Sequence, residues 1–175
     1  LNAYASATYV TTSTLSSYVT SSTLSTGLSS ANNYAGAMSN ASNSYASATG
    51  VAKSAVEILN NTDRPSSLRN IPIDKIDSKA VFEAATAGDE VAKEVFEFTG
   101  RILGISLANF VMFSSPEAII LFGGLTKAGD LILKPTREHM EANLIEVFQN
   151  KIKILVSHLK ESDAAILGAS ALMWE

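Results

Sequence analysis

The chain has 175 residues, long enough for one domain with a buried core, a net charge of −4 and a pI of about 5.2. This acidic balance, with no basic stripe, argues against nucleic acid as a partner. The sequence contains no cysteine, which excludes a disulfide scaffold, a thiolate metal site and a cysteine nucleophile. The lack of cysteine fits a cytoplasmic protein. The sequence has no apolar run long enough to predict a membrane span.

Residues 1–50 follow a different composition from the rest of the chain. They hold 21 Ser or Thr and no charged residue, whereas all thirty charged residues and all four prolines lie in 51–175. A nine-residue repeat, YVTTSTLSS at 9–17 and YVTSSTLST at 18–26, lies in this segment. Because such a segment buries little apolar surface, we expect it to be mobile or to be ordered by self-association.

The first predicted elements after this segment are two helices. Apolar residues in 51–61 recur at helical spacing, and Pro65 follows the expected end. The pattern of 78–89 predicts a second, shorter helix. Ser78 is the expected N-cap and Gly88 the expected residue just past the C-terminus.

The longest helix is predicted over 89–113, with Asp89 as its N-cap rather than a catalyst. Small residues recur every fourth position at Gly100, Gly104 and Ala108, which indicates that another element approaches closely there. The predicted apolar face of this helix consists of Val91, Val95, Phe98, Ile102, Ile105 and Met112.

Two short apolar runs predict parallel strands, a buried one at 117–122 and another at 151–157. Between them we predict a helix over 135–149 with Pro135 in its first turn, and after them a closing helix over 162–174. This order predicts a βαβ unit in an α/β fold. Two strands make a small sheet, so the fold looks incomplete.

Several of these stretches together resemble the ROK family of bacterial sugar kinases, glucokinase-like enzymes and related repressors. They are Asn109 near the end of the long helix, Ser115-Pro116-Glu117, AIILFGG and DAAILGAS, and the resemblance runs over 49–175. It implies a partial actin-like, ribonuclease H-like ATPase domain with few parallel strands and packed helices. It also implies ATP and Mg as cofactors and a hexose as substrate, with glucose the expected hexose.

The word YASAT occurs on both sides of the Ser/Thr-rich segment, at 4–8 and at 45–49. If 9–49 is deleted, the remaining residues read LNAYASATGVAKSAVEILNN, which resembles an uninterrupted helix start of the family. We therefore predict a family-like edge at 1–8, an insertion at 9–49 and the C-terminal half of a ROK-type kinase domain at 50–175. The inserted repeats resemble those of phage tail-fibre and adhesin-type proteins.

Of the parts that the family uses for phosphoryl transfer, this sequence carries one. The Asp-Gly-Gly-Thr-type phosphate loop, the catalytic Asp and the His/Cys zinc site are absent from it, so we assign no catalytic residue and no metal ligand. Gly123 and Gly124 match the family's nucleotide-contacting pair, and a glycine pair after a parallel strand lets backbone approach a ligand. Asn2 stands where the family carries a sugar-contacting Glu. We expect His139 and His158 to be surface residues.

The resemblance therefore predicts a fragment of an ATP-dependent hexose kinase that is inactive alone. The alternative is a self-associating, fibre-like structural protein, a homo-oligomer with the α/β part as a passenger. A sugar-responsive repressor is not favoured, because we find no helix-turn-helix pattern and no basic segment.

Overall fold

The structure is a computed structural model that describes residues 44–157 and 159. Several predictions lie outside these residues, namely the edge at 1–8, the repeat at 9–26, Asn2, His158 and the closing helix over 162–174. Within the described residues, helices pack beside a small parallel sheet, which confirms the predicted α/β class with few parallel strands.

The first helix, α1, spans Ala48–Asn60. Its N-cap is Ser47, whose hydroxyl accepts a hydrogen bond of 3.0 Å from the Gly50 N–H. Ser47 belongs to the second YASAT copy, so that copy leads into the helix. The helix ends at Asn60 with Asn61 as its C-cap, close to the predicted end.

Two short 3-10 helices, Ser67–Asn70 and Ile73–Lys75, connect α1 to α2, which spans Ser78–Thr86. The predicted N-cap of α2 was wrong by one residue. The cap is Asp77, which precedes Ser78, and its carboxylate accepts a 2.8 Å hydrogen bond from the Ala80 N–H. This N–H in the first turn has no acceptor within the helix, so a carboxylate at the cap position satisfies it. Gly88 lies just past the helix with φ +98°, as its predicted role requires.

Helix α3 spans Glu90–Ser114 and is the longest element. Asp89 is its N-cap, as predicted. The predicted apolar face was partly wrong, because Met112 is 40% exposed. The buried face of α3 instead includes the small residues at every fourth position. Its buried residues are Val91, Ala92, Val95, Phe96, Thr99, Gly100, Gly104, Ala108 and Val111.

By length and composition alone, α3 could cross a membrane, since it has 25 residues and a window of mean hydropathy 1.3. The core helix of a soluble protein passes the same test. Here the helix packs against its neighbours α1 and α2 and contributes buried side chains to both hydrophobic clusters of the chain. It is therefore the central helix of the packed unit.

Strand β1 spans Ala118–Leu121 and β2 spans Lys153–Val156, and they pair in parallel with Ile120 opposite Leu155. The first strand was predicted to be buried, and that was wrong for one of its faces. Ile119 points into the core, but Ile120 is 65% exposed because no described element covers the outer face of the sheet.

A short 3-10 helix, Gly124–Ala128, follows β1 and leads into α4, which spans Asp130–Asn143. Pro135 lies inside α4 rather than in its first turn, which corrects the predicted start at residue 135. The N-terminal turn forms earlier because the Gly129 carbonyl accepts hydrogen bonds from the backbone N–H groups of Ile132 and Leu133.

The contact between α3 and α4 explains the small residues of α3. A Cβ atom added at Gly100 would lie 2.6 Å from Pro135 Cγ, and one added at Gly104 would lie 2.6 Å from the Thr136 carbonyl oxygen. Neither distance is sterically possible, so α4 requires glycine at both positions. The predicted close approach is confirmed.

Two hydrophobic clusters hold the described residues together. The larger joins α1, α2 and the N-terminal half of α3, and the smaller joins the C-terminal half of α3 to the inner face of the sheet and to α4. The largest fully buried side chains are Phe96, Leu68, Ile132 and Met140.

Candidate functional site

The turn after β1 has a backbone conformation that favours glycine. Gly123 has φ +110° and ψ 174°, a region that L side chains rarely adopt. The Gly123 carbonyl accepts two hydrogen bonds from Thr126, 3.1 Å from the backbone N–H and 2.8 Å from Oγ1. These two bonds fix the chain direction, and Gly124 then begins the 3-10 helix.

Gly123 opens onto a groove at the carboxyl ends of both strands. The pairing of Leu121 with Val156 brings these ends together, and ligands of α/β sheets bind at such an edge. The groove has a volume of about 430 Å³ and is lined by Phe122, Gly123, Thr126, Lys127, Val156, Ser157 and Leu159. We call this cavity the strand-end groove.

Gly124 lines a second cavity, which we call the apolar pocket. It has a volume of about 230 Å³, and drug-sized ligands fill about 300–1,000 Å³, so it suits one part of a ligand, such as a flat ring. Its walls come from the start of α1, from α2, from α3 and from the 3-10 helix, namely Ala48, Ser78, Lys79, Phe82, Phe96, Gly124, Leu125, Lys127 and Ala128.

The glycine pair therefore separates two cavities of different chemistry. Within the described part of the chain, the backbone N–H groups of Gly123 and Gly124 have no hydrogen-bond acceptor, so they can donate to a ligand. Lys127 lines both cavities and adds a cation to the polar side. An aromatic base in the apolar pocket with a phosphate chain towards the groove matches this arrangement.

Acid–base and metal groups are missing from both cavities as far as the structure describes them. No Asp or Glu lines the apolar pocket or the strand-end groove. Among residues 44–157 and 159, no group of three or more His, Cys, Asp or Glu could hold a metal ion. As far as the structure describes them, the two cavities therefore offer no carboxylate that could act as a general base.

Asp89 has a structural role, as the sequence indicated. Its Oδ1 accepts from the Val91 and Ala92 backbone N–H groups, and its Oδ2 accepts from the Ser66 hydroxyl and from both the hydroxyl and the N–H of Ser67. Burial pushes the pKa of Asp89 upward, but these hydrogen bonds outweigh it and hold the pKa below its ordinary value. The carboxylate thus joins the 3-10 segment to the start of α3.

His139 is less exposed than predicted. Its side chain is 29% exposed, and its Nε2 lies 2.7 Å from Glu97 Oε1 across the contact between α4 and α3. His139 is partly covered because its Cβ packs over Gly104, at one of the two glycines where α3 and α4 approach closely. His139 lies outside both cavities.

Sequence reasoning found the glycine pair but missed the apolar pocket. The pocket residues come from four elements far apart in the chain, and each one alone reads as core or surface. One signal could have indicated it: Phe82 and Phe96 are the first two phenylalanines of the sequence, and both line the pocket. Asn2 lies outside the described residues.

Comparison with known proteins supports a family assignment. A sequence model of the ROK family matches residues 38–175. The glucokinase of Halalkalibacterium halodurans is 34% identical over 131 residues, which are 73% of this chain and 39% of that enzyme. The DNA-binding transcriptional dual regulator NagC of Escherichia coli is 29% identical over 103 residues, which are 59% of this chain and 25% of the regulator.

A similar solved structure is a ROK family glucokinase from Streptomyces griseus in complex with glucose and AMPPNP. The similarity covers 73% of this chain and 42% of that one, with a TM-score of 0.63 and 30% sequence identity. The chain thus spans about two fifths of the length of these two glucokinases. Because the family model covers most of its residues, the chain belongs to the ROK family.

Proposed function

We propose that this chain is a nucleotide-binding part of a ROK sugar kinase, and that the parent reaction is ATP-dependent phosphorylation of a hexose, with glucose the expected substrate. The observation that carries the proposal is the turn at Gly123 and Gly124. It lies at the carboxyl ends of two parallel strands, between an apolar pocket and an open groove. The Streptomyces griseus relative was crystallised with glucose and AMPPNP, which supports this ligand class.

We further propose that the chain alone transfers no phosphoryl group. Such transfer depends on positioning of the phosphates, on Mg and on a residue that orients or deprotonates the attacking hydroxyl. No carboxylate lines either described cavity. The sequence itself has no Asp-Gly-Gly-Thr loop. The residues that would hold Mg and the hexose are thus not among those that line the two described cavities.

The test is titration of the chain with ADP by isothermal calorimetry, in wild type and in Gly123→Ala. We expect wild type to bind ADP and the variant to lose about tenfold in affinity, because alanine at φ +110° must change the turn that presents the donors. Addition of glucose and ATP to the wild-type chain should release no ADP.

Gly129→Ala is the matched control. Gly129 also has a positive φ, of 58°, and open space around an added Cβ, but it lines neither cavity. The control should therefore share the backbone strain and keep the affinity for ADP. Absence of ADP binding by the wild-type chain contradicts the nucleotide proposal, and ADP release with glucose contradicts the proposed inactivity.

The same titration separates a kinase-like chain from a regulator-like one. The similarity to NagC covers a quarter of that regulator, so the shared residues alone do not discriminate between the two classes. A phosphoryl-transfer enzyme must bind the nucleotide, whereas DNA binding does not require it. ADP binding that is weakened by Gly123→Ala would favour a kinase-like chain over a regulator-like one.

A further inference from the structure

The hydroxyl of Ser78 has no structural task within the described residues. Ser78 begins α2, but the helix is capped by Asp77, whose carboxylate accepts from the Ala80 N–H at 2.8 Å. The Ser78 hydroxyl makes no hydrogen bond in the described part of the chain, while the nearby hydroxyls of Ser47 and Ser66 each serve a cap. This half-buried hydroxyl at the cavity wall is therefore available to a ligand.

Ser78 differs in chemistry from the rest of the apolar pocket. It is half-buried, and it is the one uncharged polar side chain that lines this cavity. Lys79 also lines it, but its Nζ lies 3.8 Å from Glu83 Oε1 on the exposed side of α2. The remaining lining side chains carry no polar atom except Lys127, and they are Ala48, Phe82, Phe96, Leu125 and Ala128.

We propose that the Ser78 hydroxyl orients the nucleotide base in the apolar pocket by hydrogen bonding to its polar edge. This inference rests on the proposed nucleotide site. Apolar walls supply affinity for a flat ring but little direction, whereas one placed hydroxyl fixes its orientation. A hydroxyl both donates and accepts, so it can serve an amino group or a ring nitrogen of adenine.

The same chemistry sets a limit on base selection. One hydroxyl that can act as donor or acceptor also pairs with the oxygen of guanine, so Ser78 rejects guanine only weakly. We therefore expect the affinities of this chain for ADP and GDP to differ by less than about tenfold.

The experiment measures affinity for ADP and GDP by calorimetry in wild type, Ser78→Ala, Ser78→Thr and Ser114→Ala. We expect Ser78→Ala to weaken ADP binding by about two- to tenfold, which is the effect of losing one neutral hydrogen bond. Ser78→Thr keeps the hydroxyl and should restore most of the affinity. Ser114 is exposed at the end of α3 and lines neither cavity, so its variant should bind as wild type.

The outcomes separate the two proposals. If wild type binds ADP and Ser78→Ala binds it equally well, the role of Ser78 is overturned while the nucleotide site stands. If wild type binds no ADP, both proposals are overturned. Alanine is a good helix former and Ser78 is only half-buried, so thermal unfolding should show that the variants are folded.

Discussion

At the scale of single residues, the chain uses side chains of the same type for different tasks, and hydrogen-bond partners decide which. Asp77 caps α2 with one hydrogen bond, whereas Asp89 caps α3 and also holds Ser66 and Ser67 of the preceding segment. Both aspartates are visible in the sequence as cap candidates, but the second set of partners of Asp89 is not. It arises from contact between residues more than twenty positions apart.

We expect Asp89→Asn to destabilise the chain at neutral pH by about 1–2 kcal/mol, because one amide oxygen cannot replace two charged acceptors. The pKa of Asp89 is lowered from 3.8 in the folded chain, so the anion stabilises the fold fully above that value. This stabilisation is lost as the pH falls from 3.8 through the folded pKa. Urea unfolding of wild type and Asp89→Asn between about pH 7 and about pH 3 measures how this difference in the free energy of unfolding changes with pH.

Asp77→Asn is the control, since it removes a charge at a cap with a single bond. Its effect should be smaller than that of Asp89→Asn. A difference between wild type and Asp89→Asn that stays constant down to the lowest pH would contradict an electrostatic role for this carboxylate.

At the scale of elements, the contact between α3 and α4 fixes the position of the site. It holds α4, which directly follows the 3-10 helix that carries Gly124, against α3, and the sheet packs on the C-terminal half of the same helix. The spacing of Gly100, Gly104 and Ala108 predicted such a contact without naming the partner.

Gly104→Ala should destabilise the chain by about 1–3 kcal/mol, although alanine favours a helix by about 1 kcal/mol. The added Cβ would lie 2.6 Å from the Thr136 carbonyl oxygen and 2.8 Å from the Met140 amide nitrogen, and backbone atoms cannot move aside independently. Thermal or urea unfolding gives the difference.

Gly88→Ala provides the comparison, because its φ of +98° is strained for alanine but nothing lies within 4 Å of the added Cβ. That variant should lose about 1 kcal/mol, from strain alone. Equal or higher stability of Gly104→Ala relative to wild type would show that the helices separate easily.

The sequence predicted the existence, type and order of most described elements, because hydrophobic periodicity and caps are local signals. It misplaced the start of α4, because proline suits a first turn in general, whereas Pro135 lies in the second turn of this helix and packs over Gly100. For the site, a local glycine pair was predictable. The apolar pocket was not, because it forms only after α1, α2 and α3 pack together.

At the scale of the whole molecule, the outer face of the sheet is apolar and open among the described residues. Ile120 and Leu155 pair across the two strands, and Phe122 follows two residues after Ile120 on the same side by strand alternation. These three side chains are 65%, 46% and 48% exposed. Apolar patches that are exposed in this way commonly mark association surfaces, so we expect this face, as far as the structure describes it, to take part in association.

We expect the chain to bind the dye ANS and to associate at high concentration, and the double variant Ile120→Thr, Leu155→Thr to do both less. Threonine keeps strand propensity while it removes apolar surface, so stability should change by less than about 1 kcal/mol. Dye fluorescence and sedimentation velocity measure the two effects.

Ile119→Thr on the inner face is the control, because Ile119 is buried against α3 and α4. It should cost about 1–3 kcal/mol and increase dye binding. Unchanged dye binding by the double variant would place the association surface elsewhere, for instance in the Ser/Thr-rich repeat predicted to self-associate.

The proline inside α4 has a consequence for how the helix opens. Pro135 has no N–H, so the Leu131 carbonyl lacks its helical donor, and the ladder of α4 is interrupted between its first turn and the rest. Thr136, His139 and Met140 pack over Gly104, whereas the first turn of α4 follows the 3-10 helix that bears Gly124 after a break at Gly129. We therefore expect the two segments to exchange their amide protons separately, and the protection gained on nucleotide binding to appear in 130–134 before it appears beyond the proline.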